Sequence, residues 1–241
     1  MSVSTCVIIV AGGTGSRMGQ NKQLMPLLGK PVVAHTLEAF QRHPMISGIV
    51  LVRPQELAQE FRGIVNKFEL SKVVQEADSG PTRQESVYNG LMKTPRCEIV
   101  LVHNGANPLV TEEEITGCIN AARTYGAAAV AQPVKDTIKA VDKEEFVRNT
   151  LDRSMLRAMQ TPQGLRYDLA LNAYRHIISN NLSCTDDIQA AEMFDKDLRA
   201  KIVPASYQNI KLTTQTDVTF AESVLKLMKK GNVKEKDGNK R

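Results

Sequence analysis

The sequence predicts an α/β protein: a mainly parallel sheet with helices on both faces, and a β-arm projecting from it. Three observations carry this. Apolar runs without polar interruption, such as Val7-Ile8-Ile9-Val10 and Ile99-Val100-Leu101-Val102, are the mark of strands covered on both faces. Segments of helical period separate these runs at a steady rhythm, the pattern of strand–helix–strand units. The rhythm breaks once, over 133–150, where short extended pieces flank the charged turn Asp142-Lys143-Glu144-Glu145. That stretch predicts a hairpin standing off the main sheet.

The elements follow in order. After the first strand, residues 31–42 read as a helix with Val32, Val33, Leu37 and Phe40 on one side. Residues 49–52 form a second strand ended by Pro54, 57–67 a second helix, and 72–75 a third strand. A helix opens at Glu85, and 99–102 is a central strand. Thr111 with Glu114 three residues on is a capping-box pattern that starts a helix running to Tyr125. Strand returns at 127–131. Helices are predicted over 167–180 and 186–194, the second with Thr185 as its cap. Late strands at 202–203 and 210–212 precede a closing helix over 217–229. No repeat and no Pro/Gly/Ser linker divides the chain, so we read one domain over 1–230 and a basic, flexible tail over 231–241.

Composition excludes several classes. With 241 residues, 42% hydrophobic and 24% charged, the chain is neither disordered nor collagen-like. No apolar run approaches the ~18 residues of a membrane span, and the apolar start reads as a strand instead of a signal peptide. Cys6, Cys97, Cys118 and Cys184 make no CxxC pair; buried thiols in a reducing cytoplasm are expected. The net charge of +5 does not indicate a nucleic-acid partner. Seven basic residues against two acidic ones lie between Lys226 and Arg241, so this end carries the whole excess and residues 1–225 are formally neutral.

The chemistry begins directly after the first strand, at Ala11-Gly12-Gly13-Thr14-Gly15-Ser16-Arg17-Met18-Gly19. Glycines let a backbone turn sharply and bring its N–H groups against an anion. Arg17 and Lys22 add two cations at the same mouth. The loop is no P-loop, since no Gly-Lys-Ser/Thr ends it, and its glycine spacing misses the dinucleotide fingerprint. Backbone donors with two fixed cations suit a triphosphate.

Gly-Gly-Thr-Gly-Ser-Arg-Met, Lys22-Gln23 and Leu27-Leu28-Gly29-Lys30-Pro31-Val32 together resemble the nucleotidyltransferases that form CDP-polyols, closest to the 2-C-methyl-D-erythritol 4-phosphate cytidylyltransferases, with ribitol-5-phosphate cytidylyltransferases as the sister group. The resemblance continues through 80–91 with Arg83 and Ser86, Asp136-Thr137-Ile138-Lys139, Asp152-Arg153-Ser154, Gln160-Thr161-Pro162-Gln163, Thr185-Asp186-Asp187 and Lys211-Leu212-Thr213. It implies a Rossmann-like nucleotidyltransferase domain and attack of an acceptor phosphate on the α-phosphorus of CTP, with pyrophosphate leaving and Mg²⁺ as cofactor. By the same resemblance Arg17 holds the β- and γ-phosphates, and Lys22 and Lys211 serve at the α-phosphate. Ala11, Gly12, Gly13, Gly15, Gly80, Arg83 and Ser86 belong to the nucleotide site. Thr137, Arg153, Thr161 and Thr185 bind the acceptor, Arg153 also counting as catalytic, and an arm over 133–155 crosses to the partner in a homodimer. No metal-ligating residue is assigned, and His35, His43, His103 and His176 share no ligand spacing.

One segment departs from the family, which reads His-Asp-Ala-Ala-Arg-Pro after the central strand. Here it is His103-Asn104-Gly105-Ala106-Asn107-Pro108. One negative and one positive charge vanish together, which avoids stranding either in a buried site. Asparagine offers a donor and an acceptor to a hydroxyl but neither a carboxylate for Mg²⁺ nor a bidentate grip on phosphate. Asn104 and Asn107 are therefore expected in a re-fitted acceptor pocket. A cytidylyltransferase for another polyol phosphate, such as ribitol 5-phosphate, and a weakly active or inactive nucleotide-binding homologue are the alternatives.

Overall fold

The computed structural model describes residues 4–13 and 21–238, with side chains as far as 228. Strand β1 (Thr5–Val10) is followed by a small hairpin, β2 (Pro26–Leu27) and β3 (Lys30–Pro31), and by α1 (Val32–Arg42). Then come β4 (Ile46–Arg53), α2 (Ala58–Lys67), β5 (Val73–Asp78), α3 (Arg83–Lys93), β6 (Ile99–Asn104), α4 (Glu112–Tyr125) and β7 (Ala127–Pro133). The arm hairpin is β8 (Lys139–Val141) and β9 (Val147–Thr150). It is followed by β10 (Arg157–Arg166), α5 (Tyr167–Ser179), α6 (Asp187–Phe194), β11 (Lys201–Pro204) and α7 (Gln215–Gly238).

Seven strands form the main sheet in the order β11-β7-β10-β6-β1-β4-β5. All neighbours pair in parallel except β10, which runs antiparallel to both β6 and β7. The uninterrupted apolar runs are explained by two cores. On β1, Val7 and Ile9 enter one with Leu37, Phe40, Phe61 and Ile119, while Cys6 and Ile8 enter the other with Val87, Leu91, Tyr174 and Ile177. Alternate residues face opposite layers, as the pleat requires. A third cluster seats the start of α7 on Leu27, Leu109 and Leu212. Both predicted capping residues at the start of α4 are in place, Thr111 Oγ1 accepting from Glu114 N–H and Glu114 accepting from Thr111 N–H.

Three sequence expectations need correction. Strand β10 was not foreseen: its Gln160-Thr161-Pro162 interrupts the pairing with β7 between Met159 and Gln163, and proline within a run argues against a strand. Residues 210–212 are no strand; Leu212 N–H bonds Ala106 O, and the segment is an irregular loop. The cap of α6 is Asp186, whose carboxylate accepts from Gln189 N–H at 2.8 Å, and not Thr185. Helix α7 runs on past the predicted end at 229, its backbone helical to Gly238. Among the described residues no helix is long and apolar enough to cross a membrane.

Candidate active site

The chain runs from β1 outward to β4 and β5, then returns to lay β6 on the other side of β1. Loops leaving β1 and β6 therefore diverge, and such a switch point opens a crevice at the carboxyl ends of parallel strands. The crevice here holds two compartments. The first, about 370 Å³, is lined by Gly12 and Gly13 after β1, by Ser79 and Gly80 after β5, and by Lys22, Thr82 and Ser86. The second, about 500 Å³, is lined by Met159, Gln160, Thr161 and Gln163 of β10 and by Thr185 and Asp186 before α6. Arg83, Asn104 and Lys211 border both.

Close approach of backbone to backbone shapes the first compartment. A Cβ on Gly12 would lie 2.2 Å from Ser79 Cβ, and one on Gly80 would lie 2.5 Å from Glu85 Cβ, so the two turns interlock only as glycines. Gly80 N–H donates to Ser86 Oγ at 3.0 Å, and that hydroxyl donates to Thr82 O at 2.9 Å. Thr82 caps α3 in a capping box with Glu85. The start of α3 thus borders the compartment, where its dipole favours an anion. Lys22 runs alongside Gly13, its Cε 4.0 Å from where a Cβ would stand.

In the second compartment Thr161 is buried, and its Oγ1 accepts from Asn104 N–H and Nδ2–H, both at 3.4 Å. Gln163 joins β10 to α6: its Oε1 accepts from Asp187 N–H and Ile188 N–H at 2.9 and 3.0 Å, and its Nε2 donates to Asp186. The Thr185 hydroxyl donates to Gln189 Oε1 at 2.9 Å.

The structure thus brings Gly12, Gly13, Lys22, Gly80, Arg83, Ser86, Asn104, Thr161, Thr185 and Lys211 to one crevice. Others of the predicted set are placed differently. Ala11 is fully buried, its N–H given to Val52 O at 2.7 Å. Asn107 lines neither compartment; it is 1% exposed and donates to Asn209 Oδ1 at 3.4 Å. A short amide in place of a long guanidinium sinks beneath the wall. Thr137 and Arg153 belong to the arm, are exposed, and border neither compartment of their own chain, with Arg153 Nη1 donating to Lys135 O at 2.5 Å. Gly15 and Arg17 lie outside the described residues. Glu56 and Ser79 in the first compartment were not singled out from sequence, and Gln23 there and Gln163 and Asp186 in the second stood in motifs without an assigned role. Ser79 and Glu56 follow strand ends, which the rule for parallel sheets could have flagged.

Among the described residues, no group of three or more His, Cys, Asp or Glu side chains could hold a metal ion. The crevice borders instead offer isolated oxygen donors, the Glu56 carboxylate and the Asn104 amide in the first compartment and Asp186 in the second. Such a set suits Mg²⁺ carried in by phosphate oxygens, since that ion keeps several waters and needs few protein ligands.

The family model described as "IspD: 2-C-methyl-D-erythritol 4-phosphate cytidylyltransferase" matches residues 5–227. The chain belongs to this family. It is 40% identical over 227 residues to the 2-C-methyl-D-erythritol 4-phosphate cytidylyltransferase of Clostridium novyi, covering 93% of this chain and 97% of the relative. It is 41% identical over 223 residues to the protein of that name from Pelotomaculum thermopropionicum, covering 91% and 93%. The crystal structure of 4-diphosphocytidyl-2C-methyl-D-erythritol synthase from Anaerococcus prevotii superposes with a TM-score of 0.83 at 32% identity, over 93% of this chain and 97% of that one. The α/β fold is thus that of the cytidylyltransferase family.

Proposed function

We propose that this chain is a cytidylyltransferase that joins CTP to 2-C-methyl-D-erythritol 4-phosphate. The observation that carries the reading is the pair of compartments meeting at Arg83, Asn104 and Lys211. An oxygen of the acceptor phosphate attacks the α-phosphorus of CTP; the new P–O bond forms as the bond to the β-phosphate oxygen breaks, and pyrophosphate departs. No protein nucleophile takes part. The task is to hold two polyanions in line and to stabilise charge spread over the phosphoryl oxygens. Gly12, Gly13, Gly80 and Ser86 hold the nucleoside end, Lys22 and Lys211 serve the α-phosphate, and Arg17 holds the outer phosphates. Asn104, Thr161 and Thr185 hold the acceptor. Mg²⁺ carried in on the triphosphate would be met by the oxygens of Glu56, Asn104 or Asp186 and would offset the charge of the phosphates.

The arm supports a homodimer. Phe146 is 72% and Met155 81% exposed, with Val141 and Val147 also open to solvent, an apolar surface that a lone arm would leave in water. A second copy covering it would receive Thr137 and Arg153 at its acceptor compartment. Four free cysteines fit a reducing cytoplasm.

Asn104 and the withdrawn Asn107 favour one second reading, a different polyol phosphate as acceptor. Pyrophosphate release with CTP and Mg²⁺ separates the two. Release with 2-C-methyl-D-erythritol 4-phosphate supports the proposal, release only with D-ribitol 5-phosphate selects the second reading, and silence with both while CTP binds overturns each.

A further inference from the structure

Lys211 borders both compartments, yet the segment that carries it, 205–213, has neither helix nor strand to hold it. Displacing a catalytic group by about 1 Å can cost on the order of 100-fold in rate, so the segment must be fixed by other means. Its ends are tied by Ala205 N–H to Ala131 O at 3.0 Å and by Leu212 N–H to Ala106 O at 2.9 Å. Between them Asn209 turns inward and is fully buried. Its Nδ2 donates to Glu114 Oε2 at 2.9 Å and to Thr161 O at 2.8 Å, and its Oδ1 accepts from Asn107.

Glu114 makes this a junction. Its Oε1 accepts from Ser206 N–H at 2.6 Å, and its Oε2 takes Thr111 N–H at 3.0 Å as well as Asn209. One buried carboxylate thus receives donors from the start of α4 and from two points of the Lys211 segment. Hydrogen bonds to a charged acceptor are the stronger kind. Helix α4 is itself locked into the core through Ile115, Cys118 and Ile119. Asn209 lines neither compartment and can act only through the groups it holds.

We propose that Asn209, anchored by Glu114, is the positioning residue of the transfer step: it pins the Lys211 segment to α4 and to Thr161, so that the cation and the acceptor wall keep one spacing. The inference rests on the reading of Lys211 as an α-phosphate cation. A double-mutant cycle in pyrophosphate release tests both separately. Asn209→Ala lowers kcat about 10- to 100-fold while KM for CTP stays within about threefold, because the glycine turns do not depend on it. In a Lys211→Ala background the same change costs no more than about threefold. Equal losses in the two backgrounds would overturn the inference with the Lys211 reading intact; near-normal turnover of Lys211→Ala alone would overturn that reading. If Asn209→Ala does not fold, Glu114→Gln takes its place in the cycle. It keeps the shape but sets an amide donor among N–H groups, and full kcat in that variant, folded by circular dichroism, would equally overturn the proposal.

Discussion

Arg83 and Asp187 meet through two parallel hydrogen bonds, Nη1 to Oδ1 at 3.1 Å and Nη2 to Oδ2 at 2.7 Å, across a sequence separation of 104 residues. Asp187 is wholly buried and also accepts from the Tyr174 hydroxyl at 2.5 Å. Burial works against the charge of Arg83, but the attraction of Asp187 and its hydrogen bonds outweigh it and raise the guanidinium pKa. The pair uses two of the roughly five donors of arginine and fixes the plane of a cation that borders both compartments.

Asp187→Asn therefore removes the counter-charge of a largely enclosed guanidinium. We expect a loss of about 3 kcal/mol in stability, read by urea unfolding, and higher KM values for both CTP and the acceptor. Unchanged KM values beside the lost stability would confine Arg83 to a structural role.

Lys22 runs beside Gly13, at the first of the glycine turns. Lys22→Ala should lower turnover at least about 100-fold, the scale of a lost transition-state donor, with melting temperature and far-ultraviolet circular dichroism intact. A variant turning over near the normal rate would remove Lys22 from the chemistry.

These two residues also show what the sequence made legible. Lys22 follows a glycine loop on the first strand, and a local pattern was enough to place it. The partnership of Arg83 with Asp187 was hidden, because Asp187 read as the acidic first turn of a helix and nothing local says that it faces α3. Strands β1, β4 and β6 were legible because both their faces are apolar. Strand β10 was not, because its Gln160-Thr161-Pro162, which borders the second compartment, breaks the strand pattern. Asn107 shows a second limit: its position in the motif predicts a pocket residue, whereas the short amide turns to Asn209 and lines neither compartment.

The proposed exchange of arms between subunits makes a prediction about mixtures. Lys211→Ala disables the body of a subunit, while Arg153→Ala disables the arm that would enter the neighbour. Each homodimer should be nearly inactive. In a mixed dimer, one site receives both defects and the other receives neither. Random reassortment should then restore about a quarter of the wild-type sites, as isologous symmetry requires. Assaying the variants apart and after mixing checks this; no gain over the separate activities would place Arg153 in its own subunit or outside the site.

His103 sets an acid limit on stability beside this chemistry. Its ring is fully buried, packs on Phe40 with centroids 4.9 Å apart, and bonds Asn107 O through Nε2 at 3.0 Å. Burial disfavours the imidazolium and lowers the pKa from 6.5 to about 4, against a smaller opposite pull from the Asn107 carbonyl. The unfolded chain takes up the proton first, so this contribution is fully present above about pH 6.5 and is lost as pH falls toward 4. Its full size is about 3 kcal/mol. Buried His43, with its pKa also lowered by burial, adds a background of the same sign. The test is therefore a difference: between pH 7 and pH 4 the wild type should lose about 3 kcal/mol more in urea unfolding than His103→Gln, which cannot titrate. Equal losses in the two proteins would assign the acid sensitivity to other groups.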